Sequence, residues 1–246
     1  MSIKKQAHVF QRHGLVYFTG TMTEVDNQTK GGKPKKNILP PAGYQNFTPG
    51  SWTATHIMSS HNTIVLLMGT KNQNLLLIDW NLKDWNTESQ TFEINLERLE
   101  AYTDMVEKLG GKIATYTETT GNGGVHWIYK YDPVKLGYVI KQQEGFIYNG
   151  VKCGDIKGEN GLCYCASSSY KGPDGSIKEY VVESTQPALT NVSRINNMIL
   201  IRRSTWVSAV LLTGYFPVEI YCINIDFIIT IELVAGTEGS VMPTVP

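Results

Sequence analysis

The sequence predicts a soluble chain of mixed α and β structure. Over 246 residues it is 41% hydrophobic and 18% charged, the composition of a globular chain rather than a disordered one. Most apolar residues fall in short runs closed by turn-forming residues, as in buried strands. One stretch, 89–109, instead repeats with helical period. The length suits one large domain or two small ones.

The elements follow in order. Residues 15–19 form a short strand candidate. Lys30-Gly-Gly-Lys-Pro-Lys-Lys36 reads as a flexible basic loop, either a solvated surface or a phosphate contact. Residues 40–50, rich in Pro, Gly and aromatics, should be irregular. Thr63–Met68, closed by Gly69, and Leu75–Asp79 read as the two strands of a hairpin. In the helix over 89–109, Phe92, Leu96, Leu99, Val106 and Leu109 share a face. Ser89 or Thr91 caps its start and Gly110-Gly111 ends it. Ile113–Thr119 and Val125–Tyr131 are two strands joined by a glycine turn. On the second, Val125, Trp127, Tyr129 and Tyr131 take one face; His126, Ile128 and Lys130 take the other. Short strands follow around Asp155–Lys157 and Leu162–Ala166. Pro173-Asp174-Gly175 marks a hairpin turn, and Glu179–Glu183 a closing strand.

Net charge is zero, so no global basic field announces a nucleic-acid binder. The charge is uneven: residues 1–50 carry seven Lys or Arg against two acids, whereas 204–246 carry four acids and no Lys or Arg. No apolar stretch of the tail reaches the roughly 18–20 residues that span a bilayer, and residues 236–246 look frayed. No secretory signal opens the chain, so an intracellular protein is expected, and the sequons at Asn46 and Asn191 carry little weight. Of Cys153, Cys163, Cys165 and Cys222, the Cys163-x-Cys165 pair shares a strand face. With no second pair at zinc-site spacing, buried free thiols in a reducing compartment are expected.

Several short motifs could carry chemistry. Leu75–Ile78 runs straight into Asp79-Trp80-Asn81. Asp79 and Asn81 are two apart, so both project from one strand face, as ligands of a hard cation or simply as turn residues. Asp84, at odd spacing, projects oppositely. The Gly121–Gly124 turn either leaves backbone N–H groups bare for an anion or is a plain hairpin. Asp155 and Lys157 share a face, as an ion pair or as a metal ligand beside a phosphate contact.

The order of these motifs resembles the archaeo-eukaryotic primase superfamily, and more closely the bifunctional primase–polymerase (prim-pol) N-terminal domain of plasmid and large-virus replication proteins. The resemblance covers residues 10–185. It implies an α+β fold: an RRM-like antiparallel catalytic sheet backed by helices, with an N-terminal α/β part. Residues 1–194 would be the catalytic domain and 195–246 an atypical apolar tail. Asp79 and Asn81 match the first family motif and Asp155 the third, so these three would hold Mg²⁺ or Mn²⁺. Gly124-Val125-His126 matches the second motif. Gly123, Gly124, His126, Lys157, Ser168 and Ser169 would then bind the nucleotide, with Asp79, Asn81, His126 and Asp155 as the catalytic set. Lys33, Lys35 and Lys36 would contact template phosphates. The implied activity is template-directed nucleotide addition, with nucleoside triphosphates, a DNA template or primer and a separate helicase as partners and no membrane. Two metals roughly 3.5–4 Å apart would clamp the attacking and leaving oxygens. Asn81 departs from the family acid and weakens two-metal binding. No G-x-x-x-x-G-K-[ST] helicase loop occurs. The resemblance therefore leaves open a weakened relative that binds nucleotide or nucleic acid without polymerising, and an inactive fragment.

Overall fold

A computed structural model describes residues 2–27, 31–109, 115–183, 194–198 and 231–233. Lys30, Gly110-Gly111, the Asn191 sequon, Cys222 and most of the apolar tail lie outside the described residues. The fold is mixed α+β, with mostly antiparallel sheets and few helices.

Helix α1 (Ile3–Arg12) is capped by Ser2, whose hydroxyl accepts from the Lys5 N–H. Strands β1 (Tyr17–Gly20), β2 (Met22–Val25) and β3 (Lys35–Ile38) follow, then β4 (Thr63–Leu67), β5 (Leu75–Trp80), β6 (Lys83–Asn86) and β7 (Thr91–Ile94). Helix α2 (Leu96–Lys108) leads to β8 (Tyr116–Thr119) and β9 (Val125–Tyr131). Beyond the short helix α3 (Pro133–Leu136) come β10 (Gln143–Tyr148), β11 (Val151–Lys157) and β12 (Leu162–Tyr164). The chain continues through β13 (Ser169–Lys171), β14 (Ile177–Glu179), β15 (Val181–Val182), β16 (Arg194–Met198) and β17 (Ile231–Leu233).

Two sheets stack. The larger has the order β10-β11-β5-β9, and β9 divides its far edge. β8 pairs with the first part of β9 and carries β15 beyond it, while β16 runs parallel to Lys130 and Tyr131. The smaller sheet is β1-β4-β12. Alternation along β5 and β9 explains the stacking. Leu76, Ile78, Trp80, Trp127 and Tyr129 face α2, which buries Ala101 and Met105 against them. Leu75, Leu77 and Ile128 face Ile64, Leu66, Cys163 and Cys165 of the small sheet, with Ala7 and Phe10 of α1. Val65 and Phe18, on the outer side of the small sheet, are covered by Tyr44, Phe47 and Trp52 from the irregular stretch.

Three expectations are corrected. β4 and β5 are not a hairpin: each lies in a different sheet, and only Gly69 and Leu75 bridge them. Both strands are buried along their length, so stacking in two layers removes more apolar surface than pairing side by side. The helix begins at Leu96, not near Ser89. Phe92 instead pairs with Trp85 across the β6–β7 hairpin, ring centroids 5.1 Å apart. The Asn86 side chain turns that hairpin by accepting from the N–H groups of Glu88 and Ser89, and Asn95 caps α2 by accepting from Arg98 at 2.9 Å. Finally, Lys35 and Lys36 are not loop residues but belong to β3, paired with β2. No helix among the described residues is long and apolar enough to cross a membrane. Cys153, Cys163 and Cys165 are buried and free, as expected.

Candidate functional site

The pairing registers place four polar residues in one line across the large sheet. Asp155 on β11 stands opposite Asp79 on β5, Asp79 opposite His126 on β9, and His126 opposite Glu118 on β8. Direct cross-strand partners share a face at roughly 4.5–5.5 Å. This is the face turned toward the small sheet, where Leu75, Leu77 and Ile128 precede the polar row. The row runs from open to closed: the side chains of Asp155 and Asp79 are 26% and 21% exposed, those of His126 and Glu118 only 5% and 0%.

At the closed end, the Glu118 carboxylate is fully engaged. It accepts from the Ala166 N–H (2.8 Å), the Tyr116 hydroxyl (3.0 Å) and His126 Nδ1 (2.9 Å). A carboxylate accepts and does not donate, so Nδ1 carries the proton of this pair. The imidazole is thereby fixed with Nε2 toward Asp79, 3.5 Å from its Oδ1. Cys163 Sγ lies 3.6 Å from Nδ1.

At the open end, Asp155 Oδ2 pairs with Lys157 at 2.9 Å, and its Oδ1 accepts from the Gly145 N–H at 3.0 Å. Gly154 beside it permits the close approach of the two acid-bearing strands, since a Cβ there would meet the Asp79 carbonyl oxygen at 1.9 Å. Two partly exposed carboxylates side by side suit one hard cation. Such a cation would compete with Lys157 for Asp155.

Lys36 reaches the row from β3. Its ammonium donates to the Tyr180 hydroxyl at 2.6 Å and stands 5.1, 5.7 and 5.9 Å from the ring centres of Tyr180, Tyr170 and Tyr164. Burial lowers its pKa, and nearby Lys178 adds to this; the charges of Asp79 and then Glu24 oppose it. Tyr180 also packs on His126, with ring centroids 5.8 Å apart, and its phenol is pushed well up, mainly by burial.

The other expected residues stand elsewhere. Asn81 is exposed beyond the end of β5, and its backbone carbonyl accepts from Arg98. Asp84 pairs with Arg98 at 2.8 Å. The glycine-turn amides are used within the turn: Gly123 N–H donates to the Thr120 carbonyl and Gly124 N–H to the Thr120 hydroxyl. Ser168 is buried, and its hydroxyl accepts from the Ile64 N–H. Ser169 donates its N–H to the Asn62 carbonyl and pairs with Glu179. Lys33 and Lys35 are exposed, away from the direction Lys36 takes. Two open surface depressions, one beside β6–β7 and one between α1 and Thr53–Thr55, do not include the row.

Sequence reasoning missed Glu118, Tyr180 and the inward turn of Lys36. Glu118 had a signal: a hairpin centred on Asn122 pairs residue 118 with residue 126. Tyr180 and Lys36 had none, because both arrive from outside the large sheet. No protein-family model matches the chain, and no curated protein matches it.

Proposed function

We propose that the chain is a metal-dependent nucleotidyltransferase of the primase–polymerase kind, adding nucleotides on a DNA template. The observation that carries this reading is the row itself: two acids and a histidine, far apart in sequence, meet on one sheet face in the order the resemblance requires. The strand order supports the RRM-like form of the fold. β5, α2, β8, β9 and β11 make a split β-α-β pattern, with the sheet order β11-β5-β9-β8.

The chemistry follows from these residues. Asp79 and Asp155 would hold Mg²⁺ or Mn²⁺, which supplies positive charge against the phosphates of a nucleoside triphosphate when bound. The ammonium of Lys36 would meet that charge from the closed side, and so would His126, held in place by Glu118, when its Nε2 also carries a proton. Lys36 thus belongs to the nucleotide rather than to the template. Its tyrosine surround keeps the ammonium in place and poorly hydrated, which strengthens its pull on an anion.

The test is incorporation of labelled nucleotides on a primed template with Mg²⁺ or Mn²⁺. Wild type should incorporate. Asp79→Ala and Lys36→Ala should each lose roughly 10²-fold or more. Activity of Asp79→Ala equal to wild type would remove the assignment. A second reading has its own support: Asn81 stands outside the row, and Lys157 already neutralises Asp155. On that reading the chain binds nucleotide or nucleic acid without polymerising. Silence from wild type together with incorporation by Asn81→Asp would select it.

A further inference from the structure

Against the closed end of the row stand two thiols that nucleotide transfer does not use. Cys163 on β12 and Cys165 just after it are both fully buried, with sulfurs 3.8 Å apart. Glu118 Oε1 lies 3.9 Å from Cys163 Sγ. The ligand atoms of Glu118, Cys163 and Cys165 all lie within 4.8 Å of one another. His126 adjoins them through Nδ1, 3.6 Å from Cys163 Sγ.

We infer that Glu118, Cys163 and Cys165 form a buried zinc site, with the His126 imidazole hydrogen-bonded beside it. The separation of the two sulfurs is that of a tetrahedral centre. With Zn–S bonds of about 2.3 Å, two thiolates of one zinc stand roughly 3.8 Å apart, and a thiolate and a nitrogen or oxygen donor roughly 3.5 Å. The 3.8 Å contact already matches, and the 3.9 Å contact is a few tenths longer. The 2.9 Å contact between Nδ1 and Oε1 is a hydrogen bond that orients this oxygen. Glu118 is prepared for this. Its Oε2 is occupied by Tyr116 and Ala166, which leaves Oε1 turned to the sulfurs and the imidazole.

Two thiolates neutralise a divalent ion, the Glu118 carboxylate adds one further negative charge, and thiolates select zinc over Mg²⁺ and Mn²⁺. The row then holds two centres of unlike chemistry, an oxygen site at its open end and a sulfur site at its closed end. The zinc has a structural consequence too. Glu118 belongs to the large sheet and Cys163 to the small one, so the ion ties the two layers beside His126.

The experiment is metal analysis of the purified full chain, prepared without chelator, with cobalt as a spectroscopic substitute. Wild type should carry one equivalent of zinc. Its cobalt form should show thiolate-to-metal absorption in the near ultraviolet. The double change Cys163→Ser with Cys165→Ser should abolish that band and weaken zinc binding roughly tenfold or more. Cys153→Ser, outside the cluster, should change neither. Should the double variant fail to fold, the cobalt spectrum of wild type decides alone. Folded wild type that holds no zinc and gives no cobalt–thiolate band overturns the site. None of these readouts involves a nucleotide: zinc in a chain that does not incorporate nucleotides would sink the function and leave the site standing.

Discussion

Glu118 has three hydrogen-bond donors aimed at it and no access to water. Replacing it with alanine strands the Ala166 N–H, the Tyr116 hydroxyl and one side of His126 in a dry place. Removing one partner from a buried charged network costs about 3–5 kcal/mol, and the loss should appear as a lower urea midpoint with unchanged slope. A change below about 1 kcal/mol would show that the network is not holding the layers together. Legibility at this scale was uneven. Asp79, His126 and Asp155 were picked out by the order of their motifs, through the resemblance, and strand alternation gave only the face each one takes. Lys36 was found but read as a loop residue: a Gly-Lys-Pro-Lys stretch looks solvated until the strand pairing of Met22–Val25 turns one lysine inward. Asn81 was grouped with Asp79 on an alternation that ends at Trp80.

Among the elements, the tightest junction is that of β11 with β5. The chain passes so close at Gly154 that a methyl group would overlap the Asp79 carbonyl. Gly154→Ala should therefore push the two acid-bearing strands apart. It should cost about 3 kcal/mol in denaturant unfolding and spoil any cation binding shared by Asp79 and Asp155. Unchanged stability would mean that the register between these strands is looser than Gly154↔Trp80 pairing requires. The sequence located this strand but not its partner. It did reveal β8, β9 and their glycine turn, because a hairpin is a local object. It misjudged the start of α2 for a physical reason. Phe92 fits the helical stripe by spacing, yet the aromatic pair with Trp85 and the cap at Asn95 favour a hairpin before the helix.

Among the described residues, the three cysteines and several tyrosines are buried. Burial pushes Cys153 from its ordinary 9.0 up to about 11. It also raises Tyr116, Tyr170 and Tyr180. For each group the folded value lies above the unfolded one, so the unfolded chain loses protons first as pH climbs. The stability they contribute is whole below about pH 9 and is lost above it, through pH 11 in the case of Cys153. Urea midpoints should therefore fall steeply between pH 9 and 11; a flat profile there would contradict the burial. What the sequence could not express at this scale was the stacking. Two runs as alike as Thr63–Met68 and Leu75–Asp79 give no sign, read singly, that one belongs to each layer.

The central place of β5 bears on how the chain reaches this state. Its two neighbours, β9 and β11, are both made much later along the chain, and neither can be replaced by a local partner. Pairings between distant segments wait on loop closure, which makes them slow. The β8–β9 hairpin can form early and hold His126 opposite Glu118. Asp79 and Asp155 meet only when the late strand β11 docks. The oxygen half of the row is therefore an endpoint of folding, assembled in the same act that completes the sheet.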